Sequence, residues 1–168
     1  MSHPLVLALF PTAPDAAAGA RALHSLGITR EQISVVSRNH DEAGALAERM
    51  DASPGADIED SRPAARLGEL GGLVLAAIAL VMPGVGPIVA AGPMSADLGE
   101  AAGHAAGGVA SVLARAGLPA ETAAGLQREV EAGRVLLGVH VKSGDATGVA
   151  AALQASGASL TQSAIWPD

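Results

Sequence analysis

Five histidines, His3, His24, His40, His104 and His140, are the side chains here best suited to proton transfer or metal binding, and they show no metal-type spacing. His140 belongs to an expected strand, on the face opposite the row Val135, Leu137, Val139 and Val141, where exposure or a sheet-face contact is expected rather than ligation. His40-Asp41-Glu42, with Asp57, Glu59 and Asp60, gathers oxygen ligands of the kind a divalent cation takes, but acidic loops are ordinarily just solvated. Gly84-Val85-Gly86 has the glycines of a phosphate loop without its lysine and Ser/Thr, and Pro87 removes an N–H that a phosphate would use. No Ser/His/Asp set can be read from spacing, because triads recur in unrelated chain orders. The expectation is a protein with no catalytic residue, no bound metal and no cofactor.

Composition narrows the classes further. A chain of 168 residues is long enough for one domain with a buried core. Apolar residues make up 49% and charged residues 16%, yet there is one Phe, one Trp and no Tyr, so the apolar content is alanine and aliphatic side chains. With 21 glycines among them, closely approaching helices are expected. The net charge of -7 and only ten scattered Lys and Arg argue against a nucleic acid partner. The absence of cysteine excludes disulfides and thiolate chemistry. The leading MSHPLVLALFPTAPD lacks a basic region and has a six-residue apolar run, which reads as a strand rather than a signal peptide, so a cytoplasmic location is expected.

The two ends of the chain repeat each other at an offset of 130 residues. LVLALFPTAPDAAAGARALHSLG from Leu5 matches VLLGVHVKSGDATGVAAALQASG from Val135 in pattern throughout. Asp15 and Asp145 fall at expected helix N-caps, and Gly27 and Gly157 where each helix would end in a left-handed residue. A run with strand character precedes each Asp, alternating in the second copy as if one face were buried, and ISVVSRN and SLTQSAIW follow the glycines. Each end is therefore a β-α-β unit. Two such units predict an α+β, ferredoxin-like (split β-α-β) fold: a four-stranded antiparallel sheet with its helices on one face.

Between the units lies an unusually long insertion. The expected organisation is a first β-α-β half over 1–39, an acidic linker over 40–62 with a short helix near Glu42 to Met50, an inserted hydrophobic helical hairpin over 63–118, and a helix plus the second half over 119–168. A helix starting at Pro63 is expected to run to Met82, turn at Pro83 to Pro87, and return from Pro87 or Pro93 to about Gly117 as the second arm of an αα-hairpin. On that arm Ala91, Ser95, Gly99, Gly103, Gly107 and Ser111 are small residues at a strict interval of four, and Gly68, Gly72 and Ala76 do the same on the first. Residues four apart share a helix face, so these rows form grooves for a close helical partner. With Val85 and Ile88 at the tip, they are the expected self-association residues of a dimer or larger homo-oligomer.

From Leu70 to Ala96 no charge occurs over 27 residues, long enough to span a bilayer. The prolines interrupt that span, and the return arm would bring Asp97, Glu100 and His104 to depth, where charge is costly. A membrane surface touched by the hairpin tip is the alternative to burial of the tip in neighbouring copies, and a small-ligand sensor with a pocket between paired sheets is a third reading.

RLGELGGLVLAAIALVMPGVGPIVAAGPMSADLGEAAGHAAGGVASVLARAGLP, followed by ETAAGLQREVEAGRVLLGVHV, resembles the bacterial general-stress or heat-induced stress protein family, with PGVGPIVAAGP as the most specific stretch. The resemblance covers roughly residues 62 to 142 and the flanks in pattern. It implies a small α+β domain carrying a glycine-rich hydrophobic insertion, and a stress-associated, non-catalytic protein, cytoplasmic or membrane-peripheral. The combined expectation is a non-enzymatic structural protein that self-assembles through its glycine-rich hairpin.

Overall fold

The computed structural model describes residues 2–38, 78–82, 85–103, 108–142 and 144–167. The acidic linker, the helix near Glu42 to Met50, the first hairpin arm up to residue 77 with Gly68, Gly72 and Ala76, and also Gly107, lie outside the described residues. In chain order the elements are β1 (His3–Phe10), α1 (Ala13–Ser25), β2 (Ile33–Arg38), β3 (Ile78–Met82), β4 (Gly86–Ala91), α2 (Met94–Ala102), α3 (Val109–Arg115), α4 (Ala120–Glu131), β5 (Val135–His140), α5 (Ala146–Ala155) and β6 (Leu160–Trp166).

The chain folds as an α+β domain around an antiparallel sheet. Five strands run β4-β2-β5-β1-β6, and β3 adds to the outer side of β4. Within this sheet the two repeated units interleave: β5 lies between β1 and β2, and β1 lies between β5 and β6. Exchanging the units returns the same order reversed, as the 130-residue repeat requires. The helix ends repeat as well. Gly27 N–H donates to the His24 carbonyl and Ile28 N–H to Leu23; Gly157 and Ala158 donate to Gln154 and Leu153 in the same way. Both glycines have positive φ, which lets the chain turn back under the helix at no Cβ penalty. At the α1 start the cap is Thr12 and not Asp15, which stands three residues later: the Asp15 amide donates to the Thr12 hydroxyl oxygen, and that hydroxyl donates to the Asp15 carboxylate. Asp145 does hold the N-cap position of α5.

Three expectations about the insertion and the sheet are corrected. The sheet has more than four strands, because the insertion contributes to it. Where the αα-hairpin was expected, Ile78–Met82 and Gly86–Ala91 pair as antiparallel strands, in the register Met82 opposite Gly86 to Ile78 opposite Ala90. The physical reason is the proline pair: a residue preceding proline is pushed out of the helical region, and both Met82 and Gly86 precede one. The Val85 amide closes the turn onto the Met82 carbonyl, and Gly86 takes φ +96. Helix begins only after Gly92-Pro93, and α2 is separate from α3.

The third correction is that helices cover both sheet faces. Val6, Ala8 and Phe10 of β1, Val35 of β2 and Val135, Leu137 and Val139 of β5 pack under α1 and α5, against Ala16, Ala20, Leu23, Val149 and Leu153. Leu5, Leu7, Leu9, Val36, Ile88 and Leu136 face the other way, under Met94 and Leu98 of α2, Val112 and Leu113 of α3, and Leu126 and Val130 of α4. The insertion thus supplies the second cover. The cover is pinned at its entry by Gly92, whose φ is +81 and where an added Cβ would stand 2.0 Å from the Ile33 carbonyl oxygen. By contrast, an added Cβ at Gly99, mid-α2, meets nothing within 4 Å.

Replacing Gly92 by alanine is therefore expected to cost at least about 2 kcal/mol, from forced left-handed φ plus a backbone collision. Gly99→Ala should instead stabilise by up to about 1 kcal/mol through helix propensity. Paired thermal and urea unfolding of the two variants checks both signs.

Candidate functional site

Among the described residues, the expected self-association residues do not form one helix face. Ala91 ends strand β4, Ser95 donates its hydroxyl to the Gly92 carbonyl in the first turn of α2, and Gly103 is the C-cap of α2. Ser111 belongs to α3, where its hydroxyl oxygen accepts from the Gly108 amide. Gly99 alone sits mid-helix among the row's described members. Val85 and Ile88 are buried in the second core, so the turn they flank is not an apolar tip waiting for cover. Gly84 lies outside the described residues, and Val85 and Gly86 form a strand-to-strand turn, not a strand-to-helix phosphate loop. Among the described residues no helix is long and apolar enough to cross a membrane, and no group of three His, Asp or Glu converges as a metal site.

What the fold does bring together is a polar chain running from one side of the sheet to a helix end. Strands β1 and β5 are antiparallel neighbours, so the start of one meets the end of the other, and His3 Nε2 lies 2.7 Å from His140 Nδ1. On the far side of the same imidazole, His140 Nε2 lies 3.3 Å from the Ser34 hydroxyl of β2. That hydroxyl oxygen accepts the Met94 backbone amide at 2.9 Å, capping the first turn of α2. The Gln32 side-chain amide donates to the His140 carbonyl, and the Trp166 indole packs edge-on to the imidazole with centroids 5.2 Å apart.

Hydrogen-bond accounting sets the tautomers. Ser34 is fully buried, and the Met94 amide is a donor, so the Ser34 hydroxyl proton has His140 Nε2 as its acceptor. His140 then carries its own proton on Nδ1 and donates it to His3 Nε2. The sequence placed His140 on the correct face of β5, opposite the Val135 row, but not its surroundings: it is only 7% exposed, because α2 and Trp166 cover that face. Burial first, and the charge of His3 second, push its imidazole down to about 4. His24 ends α1, apart from this cluster; His40 and His104 lie outside the described residues, as do the acidic residues 41, 42, 57, 59 and 60.

Two further features lie at the β6 side. A cleft of about 390 Å³ runs between α4 and the ends of β1 and β6, floored by Leu9, Leu126 and Leu160 and rimmed by Thr122, Ser159 and the Glu129–Arg134 ion pair. Among the described residues strand β6 ends the sheet. The Ile165 amide points away from β1 and donates to the Ala116 carbonyl at the end of α3; by strand alternation the backbone groups of Thr161 and Ser163 point the same way. Leu160 is 40% exposed and Ile165 56%.

The His140 shift has a definite sign. An unfolded chain, with its imidazole near 6.5, takes up a proton before the folded one does, so stability is full above pH 6.5, falls as the pH drops toward 4, and levels below that. After allowance for solvent screening the loss from this residue is about 2 kcal/mol. Urea unfolding across this range should show the slope in the parent protein and a flattened one in His140→Leu. Compared with known proteins, the chain matches no family model, no curated protein and no solved structure.

Proposed function

We propose that this chain is a non-enzymatic structural protein that self-assembles edge to edge through β6, on a ferredoxin-like core extended by the strands and helices of its insertion. The order β2-β5-β1-β6, with each unit's strands separated by one strand of the other, supports the ferredoxin-like reading. The stress-associated role rests on the resemblance of PGVGPIVAAGP and its surroundings.

The observation that carries self-association is the β6 edge. Proteins that stay apart blunt their sheet edges with charge, proline or bulges. LTQSAIW contains no charged residue and no proline, exposes Leu160 and Ile165, and leaves the Thr161 to Ser163 stretch unpaired on its outer side among the described residues. A second copy in antiparallel register would continue the sheet across a two-fold axis, with the same surface on both partners. Assembly through the glycine-rich helical hairpin is replaced by this contact, because β3 and β4 occupy its place and Ile88 lies in the core. Pairing through an open sheet face is replaced too, since α2, α3 and α4 cover that face. A non-enzymatic role is supported by the state of the Ser34–His140 pair: the hydroxyl is fully buried and its oxygen accepts the Met94 amide, so no substrate carbonyl reaches it.

Light scattering in detergent-free buffer should give a dimer or larger particle for the parent chain. Ser163→Lys, which places a charge on the exposed edge, should shift the particle to a monomer with unchanged far-UV circular dichroism. A monomeric parent protein at the same concentration sinks the proposal.

A further inference from the structure

The histidine pair and the capped helix are parts of one continuous chain of hydrogen bonds, and that continuity has a directional consequence. From the partly exposed side of the sheet inward, the order is His3, His140, Ser34 and the Met94 amide at the start of α2. Among the described residues, the groups that face His140 are His3 from β1, Ser34 from β2 and Trp166 from β6, with the α2 amide behind Ser34. His3 is the titratable group among them, and its is the charge that acts on His140.

We propose that His3, His140 and Ser34 form an acid-released latch that holds the N-terminus of α2 against β2. With both imidazoles neutral, every donor in the chain has an acceptor: Ser34 O–H to His140 Nε2, His140 Nδ1–H to His3 Nε2, and Met94 N–H to Ser34 Oγ. One added proton breaks this pattern wherever it settles. If His3 gains a proton on Nε2, it and the His140 Nδ1–H face each other as two donors across 2.7 Å. The contact is restored only if His140 moves its proton to Nε2, which then donates to Ser34. The Ser34 hydroxyl proton is left without an acceptor in a buried site, and a swing of the side chain about χ1 to reach one takes its oxygen away from the Met94 amide.

The connection to α2 is built to respond to that loss. Gly92, pressed against the Ile33 carbonyl at positive φ, and Pro93 lead directly into the helix, so the Ser34 cap and the Gly92 turn are the two ties at this end. Releasing one leaves α2 anchored by Leu98 and Ala101 in the second core. The first turn of α2 then opens while the sheet stays folded.

Trp166, the chain's single tryptophan, packs edge-on to His140, which makes its fluorescence the probe of a change at that imidazole. The test follows Trp166 fluorescence and the exchange protection of individual amides, corrected for intrinsic exchange, as the pH falls from 7 toward 4. In the parent protein the two signals should change at one midpoint, with Met94 protection dropping about tenfold there, the value of one hydrogen bond, while Leu137 protection in central β5 changes only as much as the global stability from urea unfolding does. Ser34→Ala should lose Met94 protection already at neutral pH and make it independent of pH, while the Trp166 titration persists. Met94 protection that stays constant through the Trp166 transition overturns the latch, as does a Trp166 signal that does not titrate in this range. Met94 and Leu137 protection falling by the same factor means that Met94 is exposed only when the whole chain opens, and overturns it as well.

Discussion

The central strands are apolar on both sides, and that fact governs the rest of the molecule. β1 buries Leu5, Leu7 and Leu9 toward one face and Val6, Ala8 and Phe10 toward the other, and β5 does the same with Leu136 against Val135, Leu137 and Val139. The two repeated units bring one helix each, and α1 and α5 both lie on the same face. A sheet left bare on its other side would expose a wide leucine-rich surface. The long insertion is thus part of the core: after extending the sheet with β3 and β4 it delivers α2 and α3, and with α4 these close the open face.

With so few aromatics, this second cover relies on close approach. Gly138 lets the Met94 sulfur settle directly over β5, where an added Cβ would stand 2.7 Å from it. On the first face Gly19 makes the same kind of room for Phe10, whose ring would lie 2.6 Å from a Cβ there. Glycines spaced along a helix therefore have different meanings here. Gly19 and Gly92 are consumed by contacts inside the chain, while Gly99 and Gly148 touch nothing within 4 Å of an added Cβ. Interval alone does not separate these cases.

The duplicated frame was readable from particular residues. Gly27 and Gly157, set 130 apart, marked the two helix ends, and an α+β fold with an antiparallel sheet followed from two β-α-β units. The insertion was misread for a local reason: IALVM ends a run with the composition of a helix, and only the bias imposed by Pro83 and Pro87 on the residues before them tips it toward a strand. Burial on both faces was signalled by the unbroken LVLALF, which a half-exposed strand would have interrupted with polar residues. The histidine contact was also implicit, since antiparallel neighbours β1 and β5 must bring the start of the first beside the end of the second. Spacing rules for ligands missed it because they look along one element, whereas this pair forms across two. The Ser34 cap had no signal of its own, because nothing in ISVVSR distinguishes a serine that caps a distant helix from one that faces water.

The central position of β1 also bears on how the chain comes to be folded. Its neighbours on both sides are β5 and β6, and the contact between His3 and His140 spans 137 residues. During synthesis from the N-terminus, a strand apolar on both faces must wait for β5, Val135–His140, and β6, Leu160–Trp166, before either neighbour exists. Such long-range pairing slows folding and leaves sticky intermediates in the meantime. In the nascent first unit α1 can shield only one face of β1, and the leucine face stays open to wrong contacts until the insertion has been made.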